Sequence, residues 1–113
     1  MLSNETKLQR INEKLSLLGA KLEFACYDLK TYTPRLTNIK NPNSRYFTLY
    51  GYNLIFRTYV ENNKVIFTLG YSPECAFDRY SDFNQFVTMI RTIKDIMDTC
   101  NKYELEVPKY QGF

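Results

Sequence analysis

No histidine and no tryptophan occur among the 113 residues of this chain. Without histidine, neither a Ser-His-Asp nor a Cys-His catalytic arrangement can be assembled, and the common His-containing zinc sites are excluded. The cysteines, Cys26, Cys75 and Cys100, stand far apart, so there is no Cys-x-x-Cys zinc or redox motif. Glycine is scarce, at positions 19, 51, 70 and 112, and none has the spacing of a phosphate cradle. No apolar run approaches the ~18 residues of a membrane helix, and the polar N-terminus lacks a signal-peptide pattern. Three odd, widely spaced cysteines fit reduced thiols in a cytoplasmic protein better than a disulfide framework. Carboxylate pairs are the remaining route to catalysis or cation binding: Asp78 with Asp82, and Asp95 with Asp98. Capping and the helix dipole favour Asp at a helix start without any catalysis. Arg91, one turn before Asp95, makes a surface ion pair the plain reading of the second pair. The expectation is therefore a non-enzymatic protein with no cofactor and no metal.

Aromatic residues are abundant: ten Tyr and eight Phe make up 16% of the chain. Phe, Tyr, Ile, Asn and Lys far outnumber Gly, Ala, Arg and Pro. That bias is expected of an AT-rich genome, as in low-GC bacteria and their phages and mobile elements. Net charge is +3 with a pI near 8.7, short of the pI above ~9 of a dedicated nucleic-acid binder. The length suits a single domain spanning residues 1–113.

The clearest structural signal runs from Arg45 to Ser72. It is rich in β-branched and aromatic residues, with Asn62-Asn63 as a two-residue turn of type I′. That turn pairs Glu61 with Lys64, Val60 with Val65, Thr58 with Phe67, Phe56 with Leu69 and Leu54 with Tyr71. Leu54, Phe56, Val60, Val65, Phe67, Leu69 and Tyr71 then form the core face, with Ile55, Arg57, Tyr59, Ile66 and Thr68 on the other. A second turn at Gly51-Tyr52-Asn53 folds Tyr46–Tyr50 back as a third strand.

Around this sheet, residues 3–18 carry Leu8, Ile11, Leu15 and Leu18 at helical spacing, with Ser3 or Asn4 as cap and Gly19 as stop. Lys7, Arg10, Lys14 and Lys21 form a basic ridge beside that stripe, readable as a phosphate contact or as stems lying along the core edge. Residues 21–31 are expected as a strand. Tyr32–Ser44 reads as an irregular loop whose neighbourhood holds Lys30, Arg35, Lys40 and Arg45 without an acid. A long second helix, capped by Ser81 or Asp82, places Phe83, Phe86, Val87, Ile90, Ile93, Met97 and Cys100 on its apolar side. Met89 and Ile96 widen that side, enough to seat the first helix or to form a homodimer. Residues 104–113 add a short edge strand before Pro108 and a loose tail.

The expected class is thus α+β: an N-terminal helix, a three- to four-stranded antiparallel sheet and a long C-terminal helix packed on it. This α-β-β-β-α order resembles the layout of double-stranded RNA-binding domains. The resemblance covers topology alone: Asp78 and Asp82 stand where that family carries a lysine cluster, and its Gly-Pro-x-His loop is missing. Two functions are expected. In the first, another protein binds the outer hairpin face, with Arg57 and Tyr59 as anchors, Ile55, Ile66 and Thr68 around them, and Arg35 and Lys40 flanking. Phage or mobile-element inhibitors of host machinery are the type. In the alternative, Lys7, Arg10, Lys14, Arg35, Lys40 and Arg45 contact nucleic acid.

Overall fold

The computed structural model describes residues 1–26, 32–71 and 83–109, with the side chain of Tyr71 outside that description. The element order is α1 (Asn4–Leu15), a 3-10 turn (Ser16–Leu18), β1 (Ala20–Cys26), β2 (Tyr32–Asn38), β3 (Tyr46–Leu49), β4 (Tyr52–Glu61), β5 (Lys64–Tyr71) and α2 (Phe83–Lys102). The class is α+β with a helix at each end, as expected, but five strands divide into two antiparallel sheets, β1-β2 and β3-β4-β5. The Ser81 or Asp82 cap, Lys30, Cys75, Asp78 and the tail beyond Lys109 lie outside the described residues.

The β4–β5 register is the expected one at every pair from Leu54↔Tyr71 to Glu61↔Lys64. Asn62 and Asn63 have φ of 52° and 63°, the left-handed values a type I′ turn requires and asparagine tolerates. The preceding turn is Tyr50-Gly51 (φ 52° and 81°), closed by Leu49↔Tyr52, rather than one at residues 51–53. Tyr52 therefore enters β4 and is fully buried, its ring edge-on to Phe86 at 6.0 Å. Phe47, Leu49, Leu54, Phe56, Val65 and Phe67 complete the sheet's buried face. Val60 departs from the expected core: it is 46% exposed. The hairpin tip overhangs the core there, and only the β5 side is covered, by the segment around Leu105.

Residues 32–38, expected as loop, form β2 against β1 from Ala20↔Asn38 to Cys26↔Tyr32. Pro34 is compatible because it opposes Phe24, and it needs no N–H if that is a non-hydrogen-bonded position. Leu22, two residues on, then shares that parity. Its N–H and C=O both turn outward, where Asn12 of α1 takes them: Leu22 N–H donates to Asn12 Oδ1 (2.7 Å) and Asn12 Nδ2 donates to the Leu22 carbonyl (3.2 Å). β2 runs close to β4, but Pro34 has no N–H to offer on the side away from β1.

In α1, Ser3 caps through a bond from Thr6 N–H, and Gly19 stops the 3-10 turn at φ 66°. Ile11, Leu15 and Leu18 are buried and Leu8 packs against them. The apolar arc of α2 is rotated from its expected centre. Met89, Ile93, Ile96 and Cys100 are buried, whereas Phe83 is 62% exposed. Met89 and Ile96, expected at the margin, lie at its middle because α2 packs on both β5 and α1. The wide face is thus filled within the chain, and of the two occupants expected for it the first helix takes the place. After α2, Glu106 bridges Lys64 as a one-residue continuation of the sheet, and Leu105 is fully buried.

Ile96→Lys is accordingly expected to unfold the domain, not merely alter its surface. Phe67→Ala should cost ~3–5 kcal/mol, whereas Thr68→Ala on the opposite face should be near neutral. Urea denaturation of the three variants checks this, and equal sensitivity at Phe67 and Thr68 would invert the assignment of faces.

Cys26 and Cys100 are free thiols. Burial pushes the Cys100 thiol up to about 12, opposed by the smaller influence of Lys14. A thiol that holds its proton more tightly when folded gives stability that is complete below its ordinary value of 9.0 and is lost as pH rises toward about 12. Native alkylation should therefore label Cys26 well before Cys100, with Cys100 reacting once urea is added. Equal native rates at the two thiols would contradict this burial.

Candidate functional site on the outer sheet face

Register gathers the expected partner-binding residues. Arg57 opposes Thr68, Tyr59 opposes Ile66, and Ile55 lies between Tyr46 on β3 and Gly70 on β5. Alternation turns all of these away from the buried face. Arg57 and Tyr59 are exposed, the latter by 46%, and Ile55, Ile66 and Thr68 are half-buried. Both helices belong to the other layer: α2 packs on β5 and α1, and α1 packs on β1. Among the described residues α1 does not cover the outer face, where Arg57 and Tyr59 are exposed.

At its β3 end this face runs into a cleft of about 710 Å³. One wall is the 3-10 turn, Ser16 to Gly19; a second comprises Asn38, Lys40, Asn41 and Ser44; Tyr46, Thr48 and Asn53 complete the lining. The Gly19 carbonyl accepts from Ile39 N–H at 2.8 Å, tying the walls together. Asn38 organises the second wall. Its Oδ1 accepts from the N–H groups of Lys40 and Asn41 (both 3.1 Å), and its Nδ2 donates to the Tyr46 carbonyl (2.7 Å). Leu17 and Tyr46 in the cleft, with Ile39 beside it, are exposed apolar side chains. No acidic side chain is among the described residues that line the cleft.

The basic residues separate. Lys40 lines the cleft and Arg45 is exposed just before β3. Arg35 is not on a loop with Lys40: it sits on β2 opposite Glu23. Lys14 donates to Asp95 Oδ2 at 2.6 Å, so Asp95 pairs across to α1 rather than with Arg91. Lys21 pairs with Glu23 at 3.1 Å, and the Arg10 guanidinium lies 5.9 Å from the centre of the Tyr103 ring. Of the expected basic ridge, Lys7 alone has no such charged or ring partner among the described residues. These exposed pairs contribute under about 1 kcal/mol each, but they fill the ridge with internal contacts. Among the described residues no cluster of three or more Cys, Asp or Glu is placed to hold a metal ion, and no helix is long and apolar enough to cross a membrane.

Sequence reasoning missed the cleft because it joins Leu17, Asn38 and Thr48, which share no periodicity. The signal it left was Asn38, three residues before Asn41 in a Pro-Asn-Ser stretch, a pattern typical of side chain-to-backbone turns. Comparison with protein families, with curated proteins and with solved structures finds no match to this chain.

Removing the Asn38 amide should loosen the cleft wall. Asn38→Ala is expected to cost roughly 1–2 kcal/mol and to speed hydrogen exchange at the Lys40 and Asn41 amides while leaving Val65 protected. Unchanged exchange at both amides would show that this side chain does not hold the wall.

Proposed function

We propose that this chain is a small, non-enzymatic cytoplasmic binding protein acting by protein–protein contact through the outer face of β3-β4-β5. The observation that carries this reading is the open central face, where Arg57 and Tyr59 are exposed beside Ile55 and Ile66. Tyr buries large area for few frozen rotamers, Arg offers several directed hydrogen bonds, and both dominate the energetics of many interfaces. A stable sheet alone has no need of an Arg at mid-strand. Lys40 and Arg45 at one end would steer an acidic partner, raising its association rate more than its final affinity. The AT-rich residue usage supports a phage or mobile-element origin, and with it an accessory or inhibitory role against host machinery, including nucleic-acid-handling systems. Nucleic acid itself is the competing ligand; the pairing of Lys14 with Asp95 and of Lys21 with Glu23 counts against the ridge as its contact.

The test is a pulldown from a low-GC bacterial lysate with and without nuclease, followed by binding at rising salt. A partner that survives nuclease and tolerates salt supports the reading; one lost to nuclease, with steep salt dependence, reverses it in favour of nucleic acid. Against the recovered partner, Arg57→Ala or Tyr59→Ala should each cost ~2 kcal/mol or more in binding with the melting temperature nearly unchanged. Charge reversal at Lys40 should slow association and leave dissociation almost untouched.

A further inference from the structure

Hydrogen-bond parity shows where the three-stranded sheet is closed and where it is open. A two-residue turn is flanked by a hydrogen-bonded pair, and the pairs then alternate. From the Asn62-Asn63 turn, Val65 and Phe67 must turn their N–H groups away from β4. They do: Val65 N–H donates to the Leu105 carbonyl (2.8 Å) and Phe67 N–H to Asn101 Oδ1 (3.2 Å). From the Tyr50-Gly51 turn, Tyr46 and Thr48 must likewise face the free edge of β3. Tyr46 is satisfied there, its N–H by Ser44 Oγ (3.1 Å) and its carbonyl by Asn38 Nδ2 (2.7 Å). Among the described residues no strand pairs on that side of Thr48, which is exposed and lines the cleft.

We propose that this cleft takes an extended acidic segment of a partner protein, added to the sheet as a strand along β3 and registered by the Thr48 N–H and C=O. An exposed strand edge is a template for main-chain pairing, and β5, the other edge of this sheet, is covered over Val65 and Phe67. The cleft supplies the side-chain selectivity. Leu17 and Tyr46, with Ile39 beside the cleft, give apolar contacts for one side of the added strand. Asn41 and Ser44 give neutral polar ones, and Lys40 is the only charged side chain among the described residues that line it. Neither Lys40 nor neighbouring Arg45 has an ion-pair partner among the described residues, which favours Asp or Glu in the incoming segment. This inference rests on the protein-binding reading and specifies its mode and the chemistry of its partner.

The experiment selects phage-displayed short random peptides against the whole chain, then measures the winners on variants. Thr48→Pro removes the edge N–H without touching the β4 ladder, a position where proline is tolerated; Thr48→Val keeps the main-chain groups. Expected are peptides enriched in Asp and Glu, bound at least about tenfold more weakly by Thr48→Pro, unchanged by Thr48→Val and weakened by Lys40→Glu. Circular dichroism and melting establish that Thr48→Pro is folded. If it is not, peptides N-methylated at alternate residues replace it, and binding indifferent to methylation overturns strand addition. Peptides indifferent to Thr48→Pro but lost with Arg57→Ala would sink the strand-addition mode while sparing the outer-face reading. No enrichment over bait-free background also overturns the inference, and the nuclease pulldown then judges the broader reading by itself. Winners without an acidic bias overturn the assigned partner chemistry.

Discussion

The constraint on which this fold depends is the closing of its sheet edges. Two small sheets have more edge per strand than one large one, and each edge strand turns every second N–H and C=O outward. Left to water these groups invite pairing with other chains; left buried they cost a hydrogen bond each. The chain answers with asparagine. Asn12 clasps Leu22 at the edge of β1, Asn101 takes Phe67 N–H at the edge of β5, and Asn38 takes the Tyr46 carbonyl at the edge of β3. Asn4 does the same for the segment that flanks β5, exchanging two bonds of 3.1 Å with Glu106. A primary amide presents an N–H donor and a carbonyl acceptor side by side, so it can satisfy the N–H and C=O that one edge residue turns outward, in place of a missing strand. The clasps also fix tertiary geometry, since Asn4 and Asn12 lie on α1 and Asn101 on α2.

Local chemistry was legible where it agreed with the fold. The Asn62-Asn63 turn and the alternation on either side predicted a register that the structure repeats pair for pair, because asparagine is one of few residues at ease with positive φ. The Tyr50-Gly51 turn was misplaced for the opposite reason. A bulky residue at φ 52° gives no turn signal, and it is held by tertiary contact, its carbonyl accepting from Gln85 Nε2 at 2.7 Å. Pro34 within residues 32–44 favours a loop on sequence, yet it sits in β2, because proline is excluded from a ladder only where its N–H is needed. Met89 and Ile96 were set at a margin because periodicity finds the axis of an apolar arc but not how many neighbours share it. The candidate site divides likewise. Arg57 and Tyr59 follow from register, whereas the cleft exists only through contacts between residues distant in sequence, such as Gly19 with Ile39.

The structure also sorts charge into two kinds. Lys14, Lys21 and Lys64 each meet a carboxylate, and Arg10 lies over Tyr103; these residues knit helices and strand ends together. Lys40 and Arg45 meet none among the described residues, and both lie near the strand that opens onto the cleft. A cation without an internal partner keeps its full electrostatic reach toward a ligand. Net charge alone could not make this distinction, since paired and unpaired lysines count equally toward +3.

Stability and recognition occupy opposite faces of the same three strands. Phe47, Tyr52, Leu54, Phe56, Val65 and Phe67 point to the helices and carry the burial that holds the domain together. Tyr46, Thr48, Ile55, Arg57, Tyr59, Ile66 and Thr68 point away, and not one of them is buried. Strand alternation links the two sets residue by residue: Phe47 in the core places Tyr46 and Thr48 outside, and Phe56 places Ile55 and Arg57. A one-residue slip would exchange the sets entirely. The two left-handed turns, which forbid that slip, therefore secure the core and the outer surface by the same act. The outer residues can then vary with a partner at little cost to the fold, because the register is held from the other side.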